Sequence, residues 1–293
     1  MTQIFRKKWL RVVKGKNSVL CAGLDPAEFD MNRGENGLPG GVRKGDWATQ
    51  YILAVAPYCA AVKFNTKYWN GKSDSNVLTY LVELTKAHGL IVIDDSKLAD
   101  TTDSNEAGIS FSKKAGFDAV TLAPFAGNMK GTADLCRQYK IAGITMCLMS
   151  NPEFKREKGA LIEASDNLHR IEDLIEIEGR VYVQKYIQLA HDAFINQLEG
   201  IVVGAPSKEN HISNQELEKV AGYANDGKML VLSPGLGYQQ GEAESLFRYF
   251  GKNNVIASVS RNLMFPRGSF STPKQQAEAA KNFKEMLNKS RTA

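Results

Sequence analysis

Residues 91–100 read IVIDDSKLAD, an apolar, β-branched run that passes directly into two aspartates, a lysine and a third aspartate. A near-continuous apolar run of this kind is typical of a strand that is buried on both faces, as in a parallel sheet. Charges at the rim of a buried strand cost free energy unless they are paired. The stretch is therefore either a charged, solvated loop or a functional site where a buried strand ends.

Similar runs recur along the whole chain, and segments with the apolar spacing of helices separate them. The segment 73–89 is one such helix, and Ser213 with Glu216 three residues later predicts a capping box at the start of another. Eight strands that alternate with helices predict a closed (β/α)₈ barrel, with an open doubly wound sheet as the competing layout. The predicted strands are 18–24, 60–64, 90–94, 118–122, 142–149, 200–205, 229–233 and 255–260.

Most of the predicted strand-to-strand intervals have the length of one strand and one helix, but two are longer. One follows the first strand and is rich in glycine and polar residues, and the other is an insertion at about residues 151–180. In a barrel both would leave the carboxyl ends of strands, the face that carries active sites. We therefore expect one barrel domain over residues 1–293, with an N-terminal helix at about residues 1–16 and two elaborated loops.

The composition is that of a globular protein, with 43% apolar and 24% charged residues. The net charge of +5 is spread among acidic residues, so a nucleic-acid partner is not expected. The longest apolar runs are shorter than the about 20 residues of a membrane span. The cysteines lie far apart, as in a reduced cytoplasmic protein, and the four histidines show no metal-ligand spacing. The cysteines are Cys21, Cys59, Cys136 and Cys147.

Polar and charged residues stand at the carboxyl end of most predicted strands. Because side chains two positions apart on a strand point the same way, Asp95 and Lys97 should face the same space, within reach of Lys63 on the neighbouring strand. Opposite charges at close range keep each other ionised, which predicts a preorganised electrostatic site with a lysine able to donate a proton. Asp25, Ser150 and Arg261 end other strands and should share this rim.

The loops after the last two strands suggest a phosphate site. In (β/α)₈ barrels these loops commonly bind phosphate. The stretch SPGLGYQQG, residues 233–241, offers unhindered backbone N–H groups and two glutamine amides. Arg261, one strand later, adds a planar guanidinium suited to phosphate oxygens.

Together these motifs resemble the orotidine 5′-phosphate decarboxylases. The resemblance runs through CAGLDP, VKF, DDSKLADTTDSN, LMSNP, SPGLGYQQG and SVSRN and so covers most of the barrel. The Asp-x-Lys-x-x-Asp pattern is shared with related sugar-phosphate decarboxylases and names only the superfamily. The glycine-containing loop with Gln239 and Gln240, together with Arg261 after the last strand, narrows the resemblance to the orotidine family.

The resemblance implies a catalytic set made of Lys63, Asp95, Lys97 and Asp100. Asp95 would sit against the substrate carboxylate, and Lys97 would protonate the ring carbon once carbon dioxide leaves. Asp25 and Lys63 would hold the ribose hydroxyls. Asp100 would reach the site of a partner subunit, so the resemblance also implies a homodimer.

Further residues would bind the rest of the substrate. Ser150 would hydrogen-bond the pyrimidine edge, and Gln239 with Arg261 would grip the phosphate, with Gln240 as the alternative glutamine. Thr101 stands where the family has an apolar residue beside the carbon dioxide pocket. The substrate-binding set is completed by Ser104 and Pro234.

The implied activity is conversion of orotidine 5′-phosphate to uridine 5′-phosphate, the last step of de novo pyrimidine nucleotide synthesis, without a cofactor or metal and with no membrane partner. Three alternatives stay open: a metal-dependent keto-sugar-phosphate decarboxylase of the same superfamily, a nucleotide-binding barrel without catalysis, and an unrelated phosphate-binding barrel with a Schiff-base lysine.

Overall fold

The computed structural model of the protein describes residues 2–71, 74–164, 170–224, 228–236 and 242–292. Its centre is a closed parallel barrel in the order β1-β11-β10-β9-β5-β4-β3-β2. The predicted (β/α)₈ barrel is therefore confirmed, and the open sheet is excluded. The barrel strands are β1 (Leu20–Leu24), β2 (Ala61–Phe64), β3 (Ile91–Leu98), β4 (Ala119–Leu122), β5 (Ala142–Leu148), β9 (Gly200–Val203), β10 (Leu230–Ser233) and β11 (Val255–Val259).

Helices connect the barrel strands and cover the outside of the barrel. Parallel neighbours require such crossovers, which bury the outer face of each strand and explain the near-continuous apolar runs. The helices are α1 (Thr2–Lys16), α2 (Lys44–Val55), α3 (Asp74–Ala87), α4 (Thr102–Lys114), α5 (Met129–Tyr139), α6 (Phe154–Lys158), α7 (Lys185–Ile195), α8 (Asn214–Tyr223), α9 (Ala243–Phe250), α10 (Arg261–Met264) and α11 (Pro273–Thr292). Among the described segments, no helix has the length and apolarity to cross a membrane.

The N-terminal helix α1 packs at the amino ends of the strands. The indole N–H of the fully buried Trp9 donates to the carbonyl of Asn253, 2.8 Å away and two residues before β11. Lys8 pairs at 2.6 Å with Asp118, the residue before β4. This helix therefore lies at the end of the barrel opposite to the carboxyl rim.

The insertion after β5 forms a small antiparallel sheet in the order β6-β8-β7. Its strands are β6 (Leu161–Glu163), β7 (Ile175–Ile177) and β8 (Arg180–Gln184). Val183 belongs to β8 and pairs with Ile162, although its apolar spacing to Tyr186 and Ile187 of α7 is that of a helix. Two ion pairs join the insertion to α8: Lys158 with Glu216 at 2.5 Å and Asp173 with Lys219 at 2.6 Å.

Two local predictions can be compared directly with the structure. The capping box at the start of α8 is confirmed, since the Ser213 hydroxyl accepts from the backbone of Glu216 and the Glu216 side chain accepts from the backbone of Ser213. Strand β3, by contrast, continues to Leu98, four residues beyond the predicted end at Asp94. Asp95 and Lys97 are therefore part of the barrel wall.

Candidate active site

A cavity of about 780 Å³ opens at the carboxyl ends of the barrel strands. It lies where (β/α)₈ enzymes keep their active sites, and its volume is that of a small-molecule pocket. The walls carry most of the residues singled out from the sequence, each near the carboxyl end of a barrel strand or in the loop that follows it. The cavity-lining residues of that set are Asp25, Lys63, Asp95, Lys97, Ser150, Pro234 and Arg261.

The floor of the cavity holds a carboxylate between two ammonium groups. The Lys63 amine makes a close hydrogen bond to Oδ2 of Asp95, and the Lys97 amine lies 2.7 Å from Oδ1 of the same carboxylate. Lys63 also lies 3.8 Å from Oδ1 of Asp25. The register of the barrel explains this grouping, since Lys63 on β2 is paired with Gly23 on β1 and with Ile93 on β3. The structure therefore brings the alternating charges together as the sequence predicted.

These charges are almost out of contact with solvent, because Lys63 and Asp95 are 6% and 7% exposed. Burial by itself would raise the pKa of Asp95, but the charges and hydrogen bonds of Lys63 and Lys97 outweigh burial and lower that pKa. For Lys63, burial would lower the pKa, but Asp25 and Asp95 outweigh it and raise the pKa. The Asp95–Lys63 pair thus stays ionised at neutral pH, which provides fixed charge in a site of low dielectric constant.

Asp25 lies in the cavity wall beside the Lys63 amine. Its Oδ1 atom is buried and accepts no hydrogen bond from the residues that the structure describes. Buried polar atoms normally have a hydrogen-bond partner. The Asp25 side chain as a whole keeps 22% of its surface exposed, so a ligand hydroxyl in the cavity could donate to its carboxylate.

The backbone around Lys97 departs from regular strand geometry. Lys97 has a φ of 50°, in the left-handed region that non-glycine residues rarely adopt. The register between β3 and β4 shifts between Asp94 and Leu98, which marks a bulge. In that bulge, Thr121 of β4 makes hydrogen bonds to both Asp95 and Lys97. Sequence reasoning missed Thr121, although a polar residue inside the apolar run of β4 was a signal that could have identified it.

Three predicted residues lie outside this cavity. Asp100, Thr101 and Ser104 are exposed at the start of α4 and do not line the described part of their own chain's cavity. The Asp100 backbone is held by the side chain of Asn105, which accepts from its N–H at 3.1 Å and donates to its carbonyl at 2.9 Å. The Asp100 carboxylate accepts from the backbone of Thr101 at 2.6 Å. The three residues at this turn are therefore exposed outside the cavity of their own chain.

The opposite wall carries Ser150 and Arg261. Ser150 follows β5 and is packed against Gly204, where an added Cβ would lie only 2.8 Å from the Ser150 Cβ. Arg261 is the first residue of α10, directly after β11, and lines the cavity. Gln239 and Gln240, predicted to bind phosphate, lie outside the described residues. Pro234, just before that segment, lines the cavity.

The long loop after β1 supplies wall residues that the sequence analysis did not name. Asn32, Arg33 and Asn36 line the cavity. The loop is fixed to the segment after β11, because the Ser269 hydroxyl donates to the carbonyl of Gly34 at 2.8 Å. The sequence shows that this loop is long, but nothing in its residue spacing distinguishes these three side chains from other polar loop residues.

The described part of the chain contains no group of three or more histidine, cysteine, aspartate or glutamate side chains arranged to hold a metal ion. All four cysteines are buried and free. Burial raises the pKa of the Cys21 thiol to about 12, because the charged form would be desolvated. These thiols therefore behave as apolar core residues.

Comparison with known proteins places this geometry in a family. The model of the orotidine 5′-phosphate decarboxylase / HUMPS family matches residues 18–248. The orotidine 5′-phosphate decarboxylase of Dehalococcoides mccartyi is 26% identical over 297 residues, covering 97% of each chain. The enzyme of that name from Caldicellulosiruptor bescii is 25% identical over 316 residues, covering 97% of this chain and 98% of the relative.

Solved structures agree on the fold. The structure of Leishmania donovani OMP decarboxylase superposes with a TM-score of 0.72 at 21% identity, covering 99% of both chains. The orotidine 5′-monophosphate decarboxylase of Methanocaldococcus jannaschii gives a TM-score of 0.64 at 20% identity, covering 92% of this chain and 98% of that one. Both similarities extend over the whole barrel.

Proposed function

Because the chain belongs to the orotidine 5′-phosphate decarboxylase / HUMPS family, we propose that it converts orotidine 5′-phosphate to uridine 5′-phosphate and carbon dioxide, in pyrimidine nucleotide synthesis. The observation that carries this proposal is the Asp95 carboxylate held between the Lys63 and Lys97 amines on the floor of the cavity. The relatives over nearly the full chain carry the name of this activity.

The difficult step is the loss of carbon dioxide from the pyrimidine ring. The bond between the ring carbon and the carboxylate breaks, and its electron pair stays on the ring carbon. This carbanion is poorly delocalised, so its stabilisation has to come from fixed positive charge nearby. The Lys97 ammonium supplies that charge and then donates a proton, which forms the new carbon–hydrogen bond. Solvent returns the proton to Lys97 before the next turnover.

The role of Asp95 is to fix the Lys97 amine in place. A lysine on a flexible stem loses much of its freedom when its amine is ion-paired at 2.7 Å. The lowered pKa of Asp95 keeps its carboxylate ionised at neutral pH. Preorganisation of this kind removes the reorganisation that water would need at the moment of reaction.

The rest of the substrate fits the remaining walls. Asp25 and Lys63 take the ribose hydroxyls, which agrees with their position side by side in the cavity wall. Ser150 takes the pyrimidine edge, and Arg261 with Gln239 takes the phosphate. Binding energy from the phosphate, remote from the reacting carbon, can serve to orient the ring.

Asp100, Thr101 and Ser104 belong to the second subunit's site in this proposal. Their exposure at the start of α4, outside their own cavity, supports a homodimer in which each chain completes the other's pocket. Thr101 would then contribute a polar group beside the departing carbon dioxide of the partner's substrate.

The proposal is tested by incubating the protein with orotidine 5′-phosphate and, separately, with a 3-keto-sugar phosphate, each with a chelator and again with added Mg²⁺. We expect a fall in orotidine absorbance and equimolar uridine 5′-phosphate in the first reaction, with or without Mg²⁺. Turnover of the keto-sugar phosphate alone would assign the chain to the other branch of its family. Binding of uridine 5′-phosphate without any turnover would indicate a non-catalytic barrel.

A further inference from the structure

The bulge in β3 places three residues of that strand opposite one residue of β4. Asp94 pairs with Val120 and Leu98 pairs with Leu122, so residues 95–97 stand opposite Thr121 alone. A bulge of this kind leaves backbone groups outside the regular ladder. The functional carboxylate and amine both lie inside it, so whatever fixes the bulge also fixes the reactive pair.

Thr121 provides that contact through a single atom. Its Oγ1 accepts a hydrogen bond from the backbone N–H of Lys97 at 3.0 Å and donates one to Oδ1 of Asp95 at 3.1 Å. The same Oδ1 atom is the one that lies 2.7 Å from the Lys97 amine. Thr121 is fully buried and lines the cavity wall. A hydroxyl can make both bonds at once because it has one donor and two acceptor positions.

We propose that Thr121 is a positioning residue, which holds Lys97 in its left-handed backbone conformation and turns the Asp95 carboxylate toward the Lys97 amine. The inference rests on the proposed decarboxylase function and adds a residue to it. A backbone at a φ of 50° persists only where its surroundings hold it, and the Thr121 hydroxyl satisfies the N–H of Lys97 in that conformation. Without the hydroxyl, the carboxylate can rotate and the lysine can relax toward ordinary strand geometry.

If Thr121 has this role, its loss should lower kcat without weakening product binding. Thr121 makes its side-chain hydrogen bonds to Asp95 and Lys97, and not to the residues proposed to bind the phosphate or the ribose. Loss of its hydroxyl should therefore leave product binding almost unchanged. The lysine would be displaced from the ring carbon, which affects the chemical step. A misplacement of about 1 Å can lower a rate by about 100-fold. Thr121→Val should therefore reduce kcat by about 10- to 100-fold. The Kd for uridine 5′-phosphate should change by less than about threefold.

Thr145 offers a matched control on the next strand. It is also fully buried, it is paired with Leu122 rather than with Thr121, and its hydroxyl makes no hydrogen bond to the described residues. It does not line the cavity, whereas its neighbour Met146 does. Thr145→Val should therefore keep wild-type kcat, and Thr121→Ser, which retains the hydroxyl, should recover most of the activity lost in Thr121→Val.

The experiment measures kcat for orotidine 5′-phosphate and Kd for uridine 5′-phosphate in the wild type, Thr121→Val, Thr121→Ser and Thr145→Val. A kcat of Thr121→Val within about threefold of wild type, or a serine variant as slow as the valine variant, would overturn the inference. If Thr121→Val does not fold, the comparison moves to Thr121→Ser and Thr121→Cys, which differ by one atom, a hydroxyl oxygen against a larger thiol sulfur that forms weaker hydrogen bonds. Equal kcat in that pair overturns the inference, and a slower cysteine variant supports it. Absence of turnover in both the wild type and Thr145→Val would instead refute the proposed function.

Discussion

The amine of Lys97 lies 2.7 Å from Oδ1 of Asp95, two residues earlier on the same strand. Side chains two positions apart on a strand point the same way, and here both residues also lie within the register shift between β3 and β4. The pair faces a cavity whose other walls carry Asp25, Ser150 and Arg261.

Removal of the Asp95 charge should lower stability at neutral pH. In Asp95→Asn the buried Lys63 amine loses its closest anionic partner, which should cost about 3–5 kcal/mol in the free energy of unfolding. Because the pKa of Asp95 is lowered by folding, its contribution is complete above about pH 3.8, the ordinary pKa of an aspartate, and is lost as the pH falls through the lower folded-state pKa. The measurement is urea unfolding of both proteins between pH 3 and pH 7.

Asp134→Asn is the control for this series. The Asp134 side chain is 47% exposed, and pairs at the surface contribute little to stability. Equal stability of Asp95→Asn and the wild type at pH 7, or a difference that widens as the pH falls, would argue against the buried ion pair.

Arg261 should distinguish phosphorylated from unphosphorylated ligands. A charge-assisted hydrogen bond to a phosphate contributes about 1.5–3 kcal/mol, so Arg261→Ala should weaken binding of uridine 5′-phosphate by about 10- to 150-fold. Binding of uridine should hardly change. Calorimetric titration of both ligands provides the comparison, with Arg267→Ala as the control because Arg267 is exposed and does not line the cavity. If both ligands lose the same affinity, the phosphate lies elsewhere.

Asp100 should act in the partner's cavity. Mixing inactive Lys97→Ala and Asp100→Ala chains creates heterodimers in which one composite site receives both damaged residues and the other receives none. We expect activity to return, up to one intact site per heterodimer, as the subunits exchange. Native mass spectrometry counts the heterodimers. If they form while activity stays at the level of the separate mutants, Asp100 serves its own subunit.

The barrel could be predicted from the sequence because its strands are buried on both faces. Their apolar runs are bounded by polar residues, so the number of barrel strands, eight, could also be predicted. The insertion was less readable. The alternation in Arg180–Gln184 has the period of a strand, but it leads directly into the apolar face of α7, and the helical spacing of that face concealed it.

The residues of the candidate site could be predicted where they lie at the carboxyl end of a predicted strand. Lys63 and Asp95 follow directly from the parallel register, which sets their strands side by side. The left-handed backbone of Lys97 does not, because it results from a bulge that only the packing of β3 against β4 reveals. The wall formed by Arg33 was missed for a similar reason, since the path of a long loop is set by tertiary contacts such as the bond from Ser269 to Gly34.

The most direct test of the account is the turnover of orotidine 5′-phosphate by Lys97→Ala beside the wild type and Lys130→Ala, an exposed lysine on α5. The measurement is absorbance decay in chelator-containing buffer, with uridine 5′-phosphate affinity and circular dichroism recorded on the same samples. We predict turnover by the wild type and Lys130→Ala, and none by a Lys97→Ala protein that is folded and still binds uridine 5′-phosphate. Near wild-type turnover by Lys97→Ala, or no turnover by the wild type, would contradict the account.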